Sequence, residues 1–110
     1  QRTKLTANDG AMDDYFGVSV ALSGDAAIVG ASGDDVGGNF DQGSAYVFTR
    51  VGDNWSERTK LTAADGASLD YFGADLAMSN DTVVVGAVLD DIGAVVDQGS
   101  AYVFVGSGDV

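Results

Sequence analysis

Apolar and polar positions alternate along this chain with a period of two. After Phe16-Gly17, Val18, Val20 and Leu22 fall on one face and Ser19 and Ala21 on the other, the pattern of a half-buried strand. Ser23-Gly24-Asp25 breaks the pattern as a tight turn, and Ala26-Ala27-Ile28-Val29-Gly30-Ala31 resumes as a second strand. An Asp/Gly loop leads to a third strand over Ser44-Ala45-Tyr46-Val47-Phe48-Thr49. Gly52-Asp53-Asn54 then turns the chain into a fourth, Trp55 to Thr62. The whole succession returns. Tyr15-Phe16-Gly17 recurs as Tyr71-Phe72-Gly73, the block from Asp41 to Phe48 as Asp97 to Phe104, and Thr3 to Ala7 as Thr59 to Ala63. The three blocks share one offset without a gap, and more than half of the paired positions are identical. Gly24 and Asn80 occupy matching turn positions, which predicts a positive φ at both.

Four antiparallel strands in each repeat make one blade of a β-propeller, and the repeat length lies in the range of such blades. The expected fold is therefore all-β, with two blade equivalents in a single propeller, repeat 1 over about 1–56 and repeat 2 over about 57–110. Residues 2–7 match the fourth strand, so the strand content reads 4-1-2-3-4-1-2-3. Two blades cannot close a ring, and their outer faces and edges stay open. The reading is an incomplete propeller, completed either by a longer chain or by head-to-tail association of several copies.

Composition narrows the chemistry. The 110 residues include 16 glycines and no proline, cysteine or histidine. Missing histidine removes a Ser-His-Asp triad and imidazole proton transfer; missing cysteine removes disulfides, thiolate zinc sites and thiol nucleophiles. Seventeen acidic against five basic residues give a net charge of −12, which repels phosphate backbones and argues against nucleic acid. No apolar run approaches the roughly 20 residues of a membrane helix, so no membrane insertion is expected. Sixteen of the acids are aspartate and only Glu57 is glutamate. Aspartate favours turns, caps and cation sites over helix interiors.

These blocks resemble the FG-GAP repeat family, known from the amino-terminal propeller of integrin α subunits and from bacterial extracellular proteins. Phe16-Gly17 with Gly30-Ala31, and Phe72-Gly73 with Gly86-Ala87, match the two halves of the name. K-L-T-A-x-D-G-A, Y-F-G, V-G-A and G-S-A-Y-V-F resemble the bacterial tandem form. The resemblance implies a propeller, usually of seven blades, in a secreted or cell-surface protein. Two features depart from it. Ser32 and Val88 replace the proline of GAP. The calcium loop of many integrin-type repeats shrinks here to Ser23-Gly24-Asp25 and Ser79-Asn80-Asp81, too few oxygens to cage an ion.

The remaining acidic clusters are Asp34, Asp35 and Asp41, repeated as Asp90, Asp91 and Asp97. They are candidates for Ca²⁺, with Asn39 or backbone carbonyls completing the shell in the first copy; alternatively they form Asx turns in glycine-rich loops. Asp9 and Asp14, repeated as Asp65 and Asp70, are expected to bond loop backbone. The tyrosines and phenylalanines around both Phe-Gly motifs and in the third strands are expected to pack between blades. Asn54-Trp55-Ser56 and Asn80-Asp81-Thr82 match the N-glycosylation pattern. No catalytic set emerges, and the expectation is that the protein is not an enzyme. Three functions fit: an extracellular module for adhesion or protein–protein interaction, a structural unit assembling head to tail into a ring or fibre, and a calcium- or carbohydrate-binding lectin-like propeller. The partners are correspondingly a protein or glycan ligand and further blades, from the same chain or from a homo-oligomer.

Overall fold

The structure, a computed structural model, describes residues 4–11, 13–80, 82–88 and 99–105. Within them seven strands form two antiparallel meanders, and no described residue is helical. The first sheet runs β1 (Phe16–Ser23), β2 (Ala26–Ala31), β3 (Ser44–Val51) and β4 (Asn54–Leu61); the second runs β5 (Phe72–Ser79), β6 (Thr82–Ala87) and β7 (Ser100–Val105). The registers repeat. Phe16 opposes Ala31 and Ser19 opposes Gly30 across a bulge, just as Phe72 opposes Ala87 and Asp75 opposes Gly86. Gly24 and Asn80 take φ values of 57° and 54°, as their matching turn positions predicted.

Each sheet has a front, carrying the Phe-Gly phenylalanine and the third-strand aromatics, and a back. On both fronts the phenylalanine meets two rings edge-on: Phe16 with Tyr46 (5.5 Å) and Phe48 (6.1 Å), Phe72 with Tyr102 (5.4 Å) and Phe104 (5.9 Å). The back of the first sheet stacks on the front of the second. Ile28, Ala45 and Val47 meet Phe72, Val83 and Val85 there, and all six are fully buried. Each such large side chain contributes roughly 1.5–3 kcal/mol through removal from water.

Two positions differ from the sequence expectation. Tyr15 does not pack between blades: it has a φ of 60°, stands in the turn before β1 and is 60% exposed. Residues 4–7 belong to no sheet, because no described strand lies beside them to supply a ladder. They nevertheless sit where a fourth strand sits. Leu5 and Ala7 pack on Val29, Ala31, Tyr46 and Phe48, the counterpart of Leu61 and Ala63 packing on the front of the second sheet.

The two sheets approach to backbone contact. A side chain on Gly30 would strike the Gly73 carbonyl, and one on Gly43 would strike the Phe72 backbone. Gly30 is the first letter of GAP and Gly73 the second of FG, so the FG of the second repeat lies on the GAP of the first. Gly86, the counterpart of Gly30, has among the described residues only Asp75 of its own sheet nearby, at 3.7 Å. The same substitution therefore has very unequal consequences at equivalent positions. In urea unfolding of the dilute chain, Gly30→Ala is expected to cost about 2–4 kcal/mol by overpacking, and Gly86→Ala less than about 0.5 kcal/mol.

Candidate functional site

The acidic loops gather along one edge of the stacked sheets, and the repeated D-Q-G-S-A-Y-V-F block builds that edge. Leu69, Tyr71 and Phe72 donate their backbone N–H groups to the carbonyls of Phe40 (2.7 Å), Asp41 (3.1 Å) and Gln42 (2.9 Å). The loop between β2 and β3 is thereby stitched to the segment entering β5. Gln42 is buried; its amide donates to the Ala63 carbonyl (3.4 Å) and accepts from the Asn39 side chain (2.7 Å). Asn39 also donates to the Gly66 carbonyl at 3.2 Å, so its side chain spans the two loops.

Asp34 is buried, and its carboxylate is met by three side chains. Ser44 Oγ donates at 2.6 Å, Lys60 Nζ lies at 2.8 Å and Tyr46 Oη at 3.3 Å. Tyr46 donates to Asp9 Oδ1 at 2.7 Å, and Lys60 reaches Asp9 Oδ2 at 2.7 Å while standing 5.3 Å from the Tyr46 ring centre. The tyrosine–aspartate bond repeats as Tyr102 to Asp65, also 2.7 Å. Burial, reinforced by its bond to ionised Asp9, pushes Tyr46 up to about 12. Burial alone would lower Lys60, but its bonds to Asp34, Asp9 and Tyr46 hold it above the ordinary lysine range. Bonds from Lys60 and Tyr46 hold Asp9 below the usual carboxylate value.

Asp14 and Asp70 bond loop backbone as expected, accepting from the N–H groups of Ala11 (2.8 Å) and Ala67 (2.9 Å), whereas Asp9 and Asp65, expected to do the same, accept from the Tyr46 and Tyr102 hydroxyls. Asp14 and Asp70 are buried, and desolvation raises Asp14. Asp35 accepts the N–H of Asp41 at 2.9 Å, and Asp41 itself has a φ of 53°. Of the cation candidates, then, Asp34 faces Lys60, whereas Asp35 and Asp41 turn outward. Those two line a hollow of about 280 Å³ with Asp13, Tyr15, Gly33 and Phe40. Gly33 leaves room for the Tyr15 ring, which lies against it. Among the described residues, no three acidic side chains converge as a metal site. Asp90, Asp91 and Asp97 lie outside the described residues.

A family model described as FG-GAP repeat matches residues 1–48 and 55–104. The chain belongs to the FG-GAP repeat family. No curated protein matches it. Against that family pattern, the phenylalanine and glycines of the FG-GAP motif are packing residues here, and the polar residues around them lock loops. Lys60 and Gln42 are the site residues that pattern reading passed over. Their signal was present: both lie in blocks that occur in both repeats, and Lys60 pairs with Lys4 among only five basic side chains.

The network sets the pH range of the fold. Lys60 and Tyr46 titrate higher in the fold than in the unfolded chain. Their contribution is complete below about pH 10 and is lost as pH rises through the folded values. Asp9 titrates lower, so its contribution is complete above about pH 4 and is lost on further acidification. Lys60→Met leaves Asp34 buried beside an apolar group. It is expected to cost roughly 2–3 kcal/mol at pH 7 and to weaken the alkaline fall in melting temperature, as followed by circular dichroism between pH 3 and 12.

Proposed function

We propose that this chain is a non-enzymatic propeller module, secreted or at the cell surface, that presents its loop edge to a macromolecular ligand in adhesion or protein–protein interaction. The observation that carries this reading is the hollow of Asp13, Tyr15, Asp35, Phe40 and Asp41. Phe40 is 66% and Tyr15 60% exposed, so two aromatic rings stand in water beside three carboxylates. Such rings gain by being covered, and the surrounding charge selects a cationic surface. The ionisable cluster behind the edge supports a non-enzymatic role. Asp9, Asp34, Tyr46 and Lys60 are bonded to one another, and Tyr46 and Lys60 are driven away from neutrality, the opposite of what general acid–base catalysis needs.

The test is surface plasmon resonance of the immobilised chain against a panel of extracellular-matrix proteins and surface glycans. The combined Asp13→Asn, Asp35→Asn and Asp41→Asn variant retains the acceptor at position 35 and removes three charges. It and Phe40→Ser are each expected to weaken the ligand by about tenfold or more with melting temperature unchanged. A ligand indifferent to both changes, or a panel without a ligand, overturns the reading.

A calcium reading of the same hollow would require Asp13, Asp35 and Asp41, which line it without converging, to close around the ion. Isothermal titration with calcium chloride is expected, on this reading, to give a binding heat that the triple asparagine variant abolishes. A flat titration of the unaltered chain rejects it.

A further inference from the structure

The front of the first sheet and the back of the second are two halves of an interface that this molecule already forms once. On the back of the second sheet, Val84 and Val103 are 37% and 64% exposed, although their counterparts Ile28 and Val47 are completely buried between the sheets. On the front of the first sheet, Val20 and Leu22 are each 67% exposed, although their counterparts Leu76 and Met78 pack into that same core. Val20 and Leu22, with Leu5, Val29 and Trp55, line an apolar groove of about 450 Å³.

The glycines carry the same message independently. Gly17 has a φ of 95°, identical to Gly73, yet a side chain there would meet none of the described residues within 4 Å. Gly86 has no positive φ and, among the described residues, no close neighbour outside its own sheet. Glycine inside a strand is destabilising by roughly 0.5–1 kcal/mol relative to alanine, and nothing among the described residues requires it at position 86. At position 30, the backbone of the next sheet does.

We propose that a second copy of this chain docks head to tail, the back of its second sheet on the front of the first sheet here. Val84 and Val103 of the copy then fill the groove as Ile28 and Val47 fill its counterpart, and the Gly86 of the copy receives the Gly17 backbone as Gly30 receives Gly73. Leu5 and Ala7 are already seated on the front as Leu61 and Ala63 are. β3 pairs with β4 through Ala45↔Leu61 and Tyr46↔Lys60. The same register pairs Ala101 of the copy with Leu5 and Tyr102 with Lys4, adding residues 4–5 as a strand to the open edge of β7. Lys4 thereby comes beside Asp65, as Lys60 lies beside Asp9. One position is mismatched. Ser19 donates to the Gly73 carbonyl at 2.8 Å, and its counterpart Asp75 carries a carboxyl group in place of that hydroxyl donor. The contact is heterologous, so copies add until the ring closes; three or four chains bring about six or eight blades, within the four to eight at which propellers close.

Light scattering after gel filtration tests this in about 0.15 M salt, where repulsion between acidic chains is screened beyond roughly 8 Å. The unaltered chain is expected at three or four copies, and Gly86→Ala and Val103→Asp at one, with circular dichroism unchanged. Asp75→Ser restores the missing donor and is expected to lower the concentration needed for assembly several-fold. Leu22→Asp and Val103→Asp chains, each single alone, are expected to form a one-to-one pair when mixed, since each keeps one intact half. A single-chain mass at every concentration overturns the proposal, as does an assembly whose mass ignores Gly86→Ala and Val103→Asp. The measurement contains no ligand, so its failure leaves the adhesion reading untouched, and a missing ligand leaves the assembly untouched.

Discussion

The contact on which the rest depends is a meeting of backbones. β5 enters the fold directly over Gly43, with a bridge between Gly43 and Phe72, while Gly73 lies against Gly30 and the Ser44 carbonyl. Side chains at these glycines would hold the sheets apart. With the glycines in place, the aliphatic side chains of Ile28, Val47, Val83 and Val85 interdigitate in one dry layer, where dispersion and water exclusion act together. Sequence motif and packing are thus the same fact: FG and GAP are two sides of one close approach between successive sheets.

That approach also explains where the polar residues lie. Joining two sheets brings loop backbone into a crowded edge, and every buried N–H and C=O there needs a partner. Short aspartate side chains meet this need at Asp14 and Asp70, and Gln42 meets it between two loops. Asp34 is the costly member, a buried carboxylate compensated by Lys60, Ser44 and Tyr46 together. Among the described residues no buried side-chain nitrogen or oxygen lacks a hydrogen bond. Among the described residues of this acidic chain, Asp14, Asp34 and Asp70 are bonded inside, whereas Asp13 and Asp35 are exposed on the loop edge.

The division separates architecture from function. What the two repeats share is mostly structural, as the paired tyrosine–aspartate bonds and paired aromatic clusters demonstrate. The outward hollow is mixed. Tyr15, Asp35 and Asp41 recur in the second repeat as Tyr71, Asp91 and Asp97, whereas Asp13, Gly33 and Phe40 correspond in sequence to Leu69, Leu89 and Val96. Loop positions of this kind can differ between repeats without disturbing the stack.

The sequence by itself determined the seven strands from Phe16 onward, their order, the positive-φ turns at Gly24 and Asn80 and the family, but not the opening strand it placed over residues 2–7. Each of these rests on local rules, alternation and glycine placement, reinforced because the pattern occurs twice. It also placed Asp14 and Asp70 as loop-bonding residues. It could not tell which aspartates are consumed: Asp34 and Asp35 are adjacent and chemically alike, and only the fold sends one to Lys60 and the other outward. Nor could it tell which face of an alternating strand is buried. Val20 and Leu76 read alike, and so do Val47 and Val103, yet one of each pair is exposed and the other is packed. Periodicity assigns a residue to a face; whether that face is covered depends on which sheet stacks against it, a non-local fact decided only in the tertiary structure.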